Sequence, residues 1–257
     1  MTNSPTRLRM YALVFLLLLL ALPAHAQTTW LFGVGRANIY DTYLSPVNYK
    51  GPQMHMEVAT LRPLKRNEKL CFESNTRLHL AYTENRAQTA HEPDFLLTTD
   101  LGWTRAWREA LPHTDVRLGG LWGMDLGGTY NTQNGNNPAQ ARLATRLSAT
   151  VGATYRFSLR QRTLRLSYQA SLPLVGMMFS PQYGQSYYNL FHQGHWNHNL
   201  LATHPGNALS LFQRFTLSIP CRRRTLVVGY ESMLQQALPN HLRQHHYVRS
   251  FIIGWHL

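Results

Sequence analysis

The sequence predicts an all-β fold, an antiparallel transmembrane β-barrel of about ten strands, with eight or twelve as open alternatives, preceded by a cleaved signal peptide. Three observations predict it. Segments with a two-residue period recur along the chain. Short and long connections alternate between these segments, and aromatic residues collect near the segment ends.

Residues 1–26 have the three parts of a secretory signal peptide: a short basic head, an apolar run over 11–22, and Ala24-His25-Ala26 as an A-x-A cleavage site. After Gln27 no stretch reaches the roughly 18 uncharged apolar residues that a membrane helix needs. We therefore expect an exported protein with one mature barrel domain over 27–257 and no helical anchor.

The strands are predicted from alternation between apolar and polar residues. In "TLRLSYQASLPL", at 163–174, Leu, Tyr and Ala alternate with Arg, Ser and Gln, a phase that a helix would not keep. Ten such segments lie near 29–40, 52–64, 69–84, 94–107, 113–128, 140–159, 162–178, 208–219, 224–236 and 246–257.

The connections between these segments alternate in length. The short joints "KRNE", "REALP", "RQR" and "PCRRR" take turns with longer connections at 41–51, 85–93, 129–139, 179–207 and 237–245. Short turns on one rim and long loops on the other are typical of a membrane barrel. A soluble sandwich, whose apolar band would face a second sheet, is the alternative.

Aromatic residues near the segment ends fit girdles at a lipid–water interface. They are Trp30, Tyr82, Trp103, Trp107, Tyr155, Phe157, Tyr247 and Trp255. The last segment, "RSFIIGWHL", resembles the terminal signal that barrel-assembly machinery recognises in outer-membrane proteins, although it ends in Leu257 and not in an aromatic residue. That machinery is therefore an expected partner.

The polar phase of the same segments predicts the interior of the barrel. Its charged members are Glu57, Glu73, Arg77, Asp100, Arg117, Asp125, Arg146, Arg156, Arg165, Arg214 and Glu231. Because side chains largely fill a barrel of this size, we expect paired charges that plug the lumen. A narrow anion-preferring path lined by the surplus arginines is the alternative. Cys71 and Cys221 fall on opposite walls, so two free thiols are expected.

The charge balance indicates the partners. The chain holds 25 Lys+Arg and 12 Asp+Glu, a formal net charge of +13, and loss of Arg7 and Arg9 with the leader leaves +11. A basic exported protein is expected to meet anionic lipid or lipopolysaccharide in the outer membrane, and no nucleic acid. The sequence indicates no cofactor.

The first long connection carries a resemblance to a known family. Residues 33–51, "GVGRANIYDTYLSPVNYKG", resemble the signature of an uncharacterised family of Bacteroidetes outer-membrane barrels, D-x-Y-L-S-P-x-x-Y-x-G. The resemblance implies a membrane barrel of unknown activity. The loop itself is a folding or packing element, or else a ligand contact through Tyr43, Ser45 or Tyr49.

The longest connection, 179–207, holds "FHQGHWNHN", with His192, His195 and His198. Gly194 disfavours a helix that would bring two of these side chains together, and the spacing matches no usual zinc motif. We therefore predict no metal site, with this triplet as a weak candidate. A loop that folds over the mouth, or binds surface polysaccharide through Trp196, is favoured.

These observations predict a structural or binding role in the outer membrane, including that of a subunit in a larger membrane assembly with a protein partner. The alternative is a hydrolase or lipid-modifying enzyme with its site at the extracellular rim, where Glu84, Glu92, Asp94 and His91 are the only cluster of acids and His. No catalytic residue is predicted.

Overall fold

The computed structural model describes residues 27–222 and 224–256 and forms a closed antiparallel barrel. The predicted signal peptide and Leu257 lie outside the described residues. The strands are β1 (Gln27–Asp41), β2 (Tyr49–Leu64), β3 (Asn67–Asn85), β4 (His91–Leu111), β5 (Thr114–Tyr130), β6 (Ala139–Leu159), β7 (Arg162–Phe179), β8 (Leu200–Thr203), β9 (Ser210–Cys221), β10 (Arg224–Ala237) and β11 (Gln244–His256). A helix, α1 (Tyr187–Phe191), and a 3₁₀ turn, Pro239–His241, lie in loops.

Ten of these strands form the ring, which confirms the predicted fold class. Each strand from β1 to β8 pairs with the next, β9 pairs with β7 and β10, and β11 pairs with β10 and returns to β1, so the sheet closes into a ring. At this closing pair Thr29 lies opposite His256 and Asp41 lies opposite Gln244. Two-residue turns join the strands at one rim, the short-turn rim, and longer connections mark the other, the long-loop rim.

The wall beside β7 is divided between two strands. β8 pairs with 176–179 and β9 pairs with 165–171. In the part of the chain that the structure describes, residues 172–175 therefore have no strand partner on this side. The sequence predicted one strand over 208–219 and a loop up to 207. A turn after His204, which contains Pro205, interrupts the wall instead, since proline cannot donate to a ladder.

The two faces of the barrel have opposite chemistry. Phe251 is 73% exposed on the outer face, whereas its neighbour Ser250 is fully buried inside. Leucine, methionine and tryptophan side chains occupy the same outer phase around the ring. An apolar exterior around a charged interior is the reverse of a water-soluble protein and fits a barrel surrounded by lipid. Among the described residues, no helix has the length and apolar character that would let it cross a membrane.

The interior is layered along the barrel axis. On the inward face of β10, Val227, Glu231 and Met233 follow one another. Val227 packs in an apolar cluster with Leu31 and Ile252, and Met233 packs in a second cluster towards the long-loop rim. Glu231 therefore belongs to a charged layer between two apolar ones.

Candidate functional site

The candidate site is this charged layer, named here the central layer. Its members are Glu57 and His55 of β2, Arg77 and His79 of β3, Arg214 of β9, and Glu231 of β10. Because side chains two positions apart in a strand point to the same face, each pair within β2 and β3 enters the lumen together.

Two carboxylates and two guanidinium groups form the centre of the layer. The Arg77 Nε donates to Glu57 Oε2 at 2.8 Å and lies 3.3 Å from Glu231 Oε1. Arg214 donates to Glu231 Oε2 through Nε at 3.1 Å and Nη2 at 2.8 Å, and its Nη2 also contacts Glu57. These four side chains are at most 8% exposed. Charges of both signs balance within a closed group, as buried ions require.

The layer crosses the lumen, because Arg214 on β9 reaches Glu57 on β2, and β2 and β9 are not neighbours in the ring. The guanidinium groups of Arg77 and Arg214 lie 4.3 Å and 5.1 Å from the centroid of the Phe212 ring. This packing adds a cation–π contact to the ion pairs. The layer is therefore held from several sides of the barrel.

One histidine, His55, lies against the Glu231 carboxylate, and a second, His79, lies beside it. The Nε2 of His55 is 3.6 Å from Glu231 Oε1, and the rings of His55 and His79 are 4.8 Å apart between centroids. Nδ1 of His79 is 3.5 Å from Gln53 Oε1. A Cβ on Gly33 would lie 2.1 Å from His55 Cε1, so only glycine leaves room for this ring.

Further ion pairs fill the lumen on both sides of the central layer. Arg146 lies 2.9 Å from Asp100 and 2.6 Å from Asp125, and Arg156 lies 2.6 Å from Asp115. All eleven charged residues predicted to line the lumen occupy inward positions. Among the described residues, Arg165 is the one member of these eleven that forms no ion pair. The sequence alone did not predict this difference.

A cavity of about 400 Å³ opens at the short-turn rim. Its lining contains five arginines and three acidic residues: Arg108, Arg117, Arg156, Arg165, Arg214, Glu68, Glu73 and Asp115. The cavity is therefore basic. Arg214 belongs to both the cavity and the central layer, so the cavity ends where the buried ion pairs begin.

The predicted ligand contacts of the first loop have partners within the protein. The Tyr43 hydroxyl donates to the Gln185 carbonyl at 2.8 Å. The Tyr49 hydroxyl donates to Ser45 Oγ at 3.3 Å and accepts from Asn131 Nδ2 at 2.9 Å. These bonds tie the first loop to the longest one and to the barrel wall. Their use in ligand binding stays a prediction.

The longest loop folds over the long-loop rim. Ser186 caps α1, and Gly194, at φ +71°, follows the end of the helix. The side chains of Asn199 and Asn240 both donate to the Ser180 carbonyl, at 3.0 and 3.2 Å, and hold the loop closed. Asn199 was among the loop residues expected to pack over the mouth, whereas sequence reasoning missed Asn240, because asparagine in a loop carries no distinguishing signal.

The loop histidines remain exposed at the surface. The His192 ring stacks on Tyr188 at 4.7 Å, and the Trp196 ring contacts Phe191 at 5.0 Å. In the described parts of the chain, the ring nitrogens of His192, His195 and His198 do not converge, whereas the possible ligand atoms of His55, His79 and Glu231 lie within 4.8 Å of one another.

The acids and histidine proposed for a hydrolase at the rim do not converge. Glu92 and Asp94 point into the barrel, whereas the His91 ring stacks on Tyr82 of the outer face. The histidine near Asp94 is His246, at 3.6 Å, on the inward phase of the last strand. Both cysteines are free, as predicted, with Cys71 buried and Cys221 exposed.

A family model described as a protein of unknown function, DUF3316, matches residues 20–256. No curated protein matches the chain. The transport unit of the autotransporter AIDA-I from Escherichia coli is similar in structure at 8% identity and a TM-score of 0.45, with 96% of each chain covered. An outer membrane channel from Pseudomonas putida F1 is similar at 10% identity and a TM-score of 0.33, with 91% of this chain and 97% of that chain covered.

Proposed function

The chain belongs to the family of unknown function DUF3316, and from its interior we propose that it is an integral outer-membrane barrel with a plugged lumen and a structural or binding role. The observation that carries this proposal is the central layer. Four buried charged side chains meet across the lumen, and each has an opposite charge within 3.3 Å.

Opening a path through this layer would separate buried ion pairs. Moving one guanidinium away leaves two carboxylates with a single partner, and an uncompensated buried charge costs several kcal/mol. The long loop adds a second barrier at the other rim. The geometry therefore supports a barrel that conducts poorly or not at all.

The binding role rests on the exposed face of the longest loop. Aromatic and aliphatic side chains lie at its surface, and they are Tyr183, Tyr188, Phe191, Trp196 and Leu200. Grouped exposed apolar side chains are common at protein interfaces. We propose that this loop faces outward from the cell and contacts a protein partner in a membrane assembly, with lipopolysaccharide around the basic barrel.

A narrow anion-preferring path is the second candidate, supported by the basic cavity and by Arg165. Single-channel recording of the purified protein in planar bilayers separates the two functions. We expect no conductance steps. Steps that are selective for chloride would favour the anion path and overturn the plugged barrel.

Purification from outer membranes in mild detergent tests the binding role. A partner protein that is recovered with wild-type barrel and lost with the double variant Phe191→Ser/Trp196→Ser would support it. The variant Leu111→Ser, at an exposed position of the opposite rim, is the matched control and should retain the partner. Recovery of the wild-type chain in the soluble periplasmic fraction would contradict the membrane assignment itself.

A further inference from the structure

We propose that His55, His79 and Glu231 form a binding site for a divalent transition-metal ion of the zinc type inside the barrel. Each residue offers one ligand atom, and the three atoms all lie within 4.8 Å of one another. The site lies in the central layer, away from both rims, and goes beyond the proposed function.

The distances are close to those of a tetrahedral ion. Ligands about 2.0–2.1 Å from zinc lie roughly 3.4 Å from one another. The separation between His55 Nε2 and Glu231 Oε1 is already 3.6 Å. The remaining separations are at most 4.8 Å, so the ligand atoms have to draw together by up to about 1.4 Å to reach tetrahedral spacing.

The ligand atoms lack hydrogen-bond partners. Both ring nitrogens of His55, Nε2 of His79 and Oε1 of Glu231 are buried and make no hydrogen bond among the described residues. Buried polar atoms are nearly always satisfied, and each orphaned group costs about 1–3 kcal/mol. A metal ion would satisfy three of these atoms at once.

The surroundings tolerate the added ion. Arg77 Nε approaches Glu231 Oε1 at 3.3 Å but keeps its shorter bond to Glu57 at 2.8 Å. Glu231 keeps both bonds from Arg214 through its other oxygen. Coordination through Oε1 therefore displaces the Arg77 contact, while Arg77 keeps Glu57 and Arg214 keeps Glu231.

The donor set selects the class of ion. Two imidazoles and one carboxylate suit zinc and neighbouring transition ions, whereas calcium and magnesium prefer oxygen ligands only. Three protein ligands leave a fourth position for water. The missing Cβ of Gly33 gives the His55 ring its place in the triad.

The experiment uses the full mature barrel, folded in detergent, stripped with a chelator and titrated with Co²⁺ or Zn²⁺. We expect one ion per chain, with visible d–d absorption of the bound Co²⁺. The variant His79→Gln, which keeps a polar side chain of similar size, should lose at least tenfold in affinity. The matched control His192→Gln/His195→Gln/His198→Gln removes the exposed loop triplet and should bind like wild type.

Folding of each variant is checked by the shift in electrophoretic mobility between unheated and heated samples. Should His79→Gln fail to fold, the wild-type barrel is loaded with Cu²⁺ and the nitrogen hyperfine coupling of the bound ion is measured. We expect the coupling of two coordinated imidazoles. Wild-type protein that binds no ion, or binding that is lost only with the loop triplet, would overturn the proposal.

Discussion

Replacement of Glu231 by Gln tests the central layer most directly. The carboxylate accepts two hydrogen bonds from Arg214 and lies 3.3 Å from Arg77. Charge-assisted bonds contribute about 1.5–3 kcal/mol each, and breaking a buried ion pair costs about 3–5 kcal/mol. Since the Gln carbonyl still accepts one bond, we expect the free energy of unfolding to fall by about 3 kcal/mol.

Urea unfolding in lipid vesicles, followed by tryptophan fluorescence, measures this change. Glu68→Gln is the control, because the Glu68–Arg108 pair is 73% and 64% exposed and should contribute at most about 1 kcal/mol. The double variant Glu231→Gln/Arg214→Gln removes one charge of each sign. It should cost at least about 1 kcal/mol less than the sum of the single variants. Equal losses for Glu231→Gln and Glu68→Gln would refute a buried, paired layer.

Three further predictions concern other parts of the barrel. Gly33→Val should prevent folding or destabilise strongly, because its side chain enters the space of the His55 ring, whereas Gly135→Val, with nothing within 4 Å, should be tolerated in the same mobility assay. Burial raises the pKa of Tyr187 to about 12. The contribution of this side chain to folding stability is therefore complete below pH 10 and is lost as pH rises to 12. Loop tryptophan fluorescence should change over that range in wild type but not in Tyr187→Phe. The amides of Leu172, Leu174 and Val175 should exchange hydrogen faster than the rest of β7, since one side of this segment lacks a strand among the described residues.

The strands were predictable because every segment of a lipid-facing barrel wall alternates apolar and polar residues. The two-residue period places Glu57, Arg77, Arg214 and Glu231 inside, and the structure confirms each position. Their pairing was not predictable. Which inward residues meet depends on strand tilt and stagger around the ring, and these follow from pairing across the whole sheet.

The histidines also show that a sequence pattern does not reveal which side chains meet across strands. His192, His195 and His198 attract notice because they are close in sequence, yet their side chains lie at an exposed surface. His55 and His79 lie on different strands and meet only because β2 and β3 place them directly opposite each other. Proximity across strands has no signature within either segment.

The pairing of β1 with β11 sets the order in which this chain can assemble. The residues that complete the wall beside Trp30 are separated from it by more than two hundred positions, as the contact with Trp255 shows. Such a long-range closure is intrinsically slow. While the chain is being made, β1 has an unpaired edge, and no arrangement of the earlier strands can cover it in the final register. The barrel must therefore be kept from aggregating until its last strand has arrived, and closure can follow translation but not accompany it.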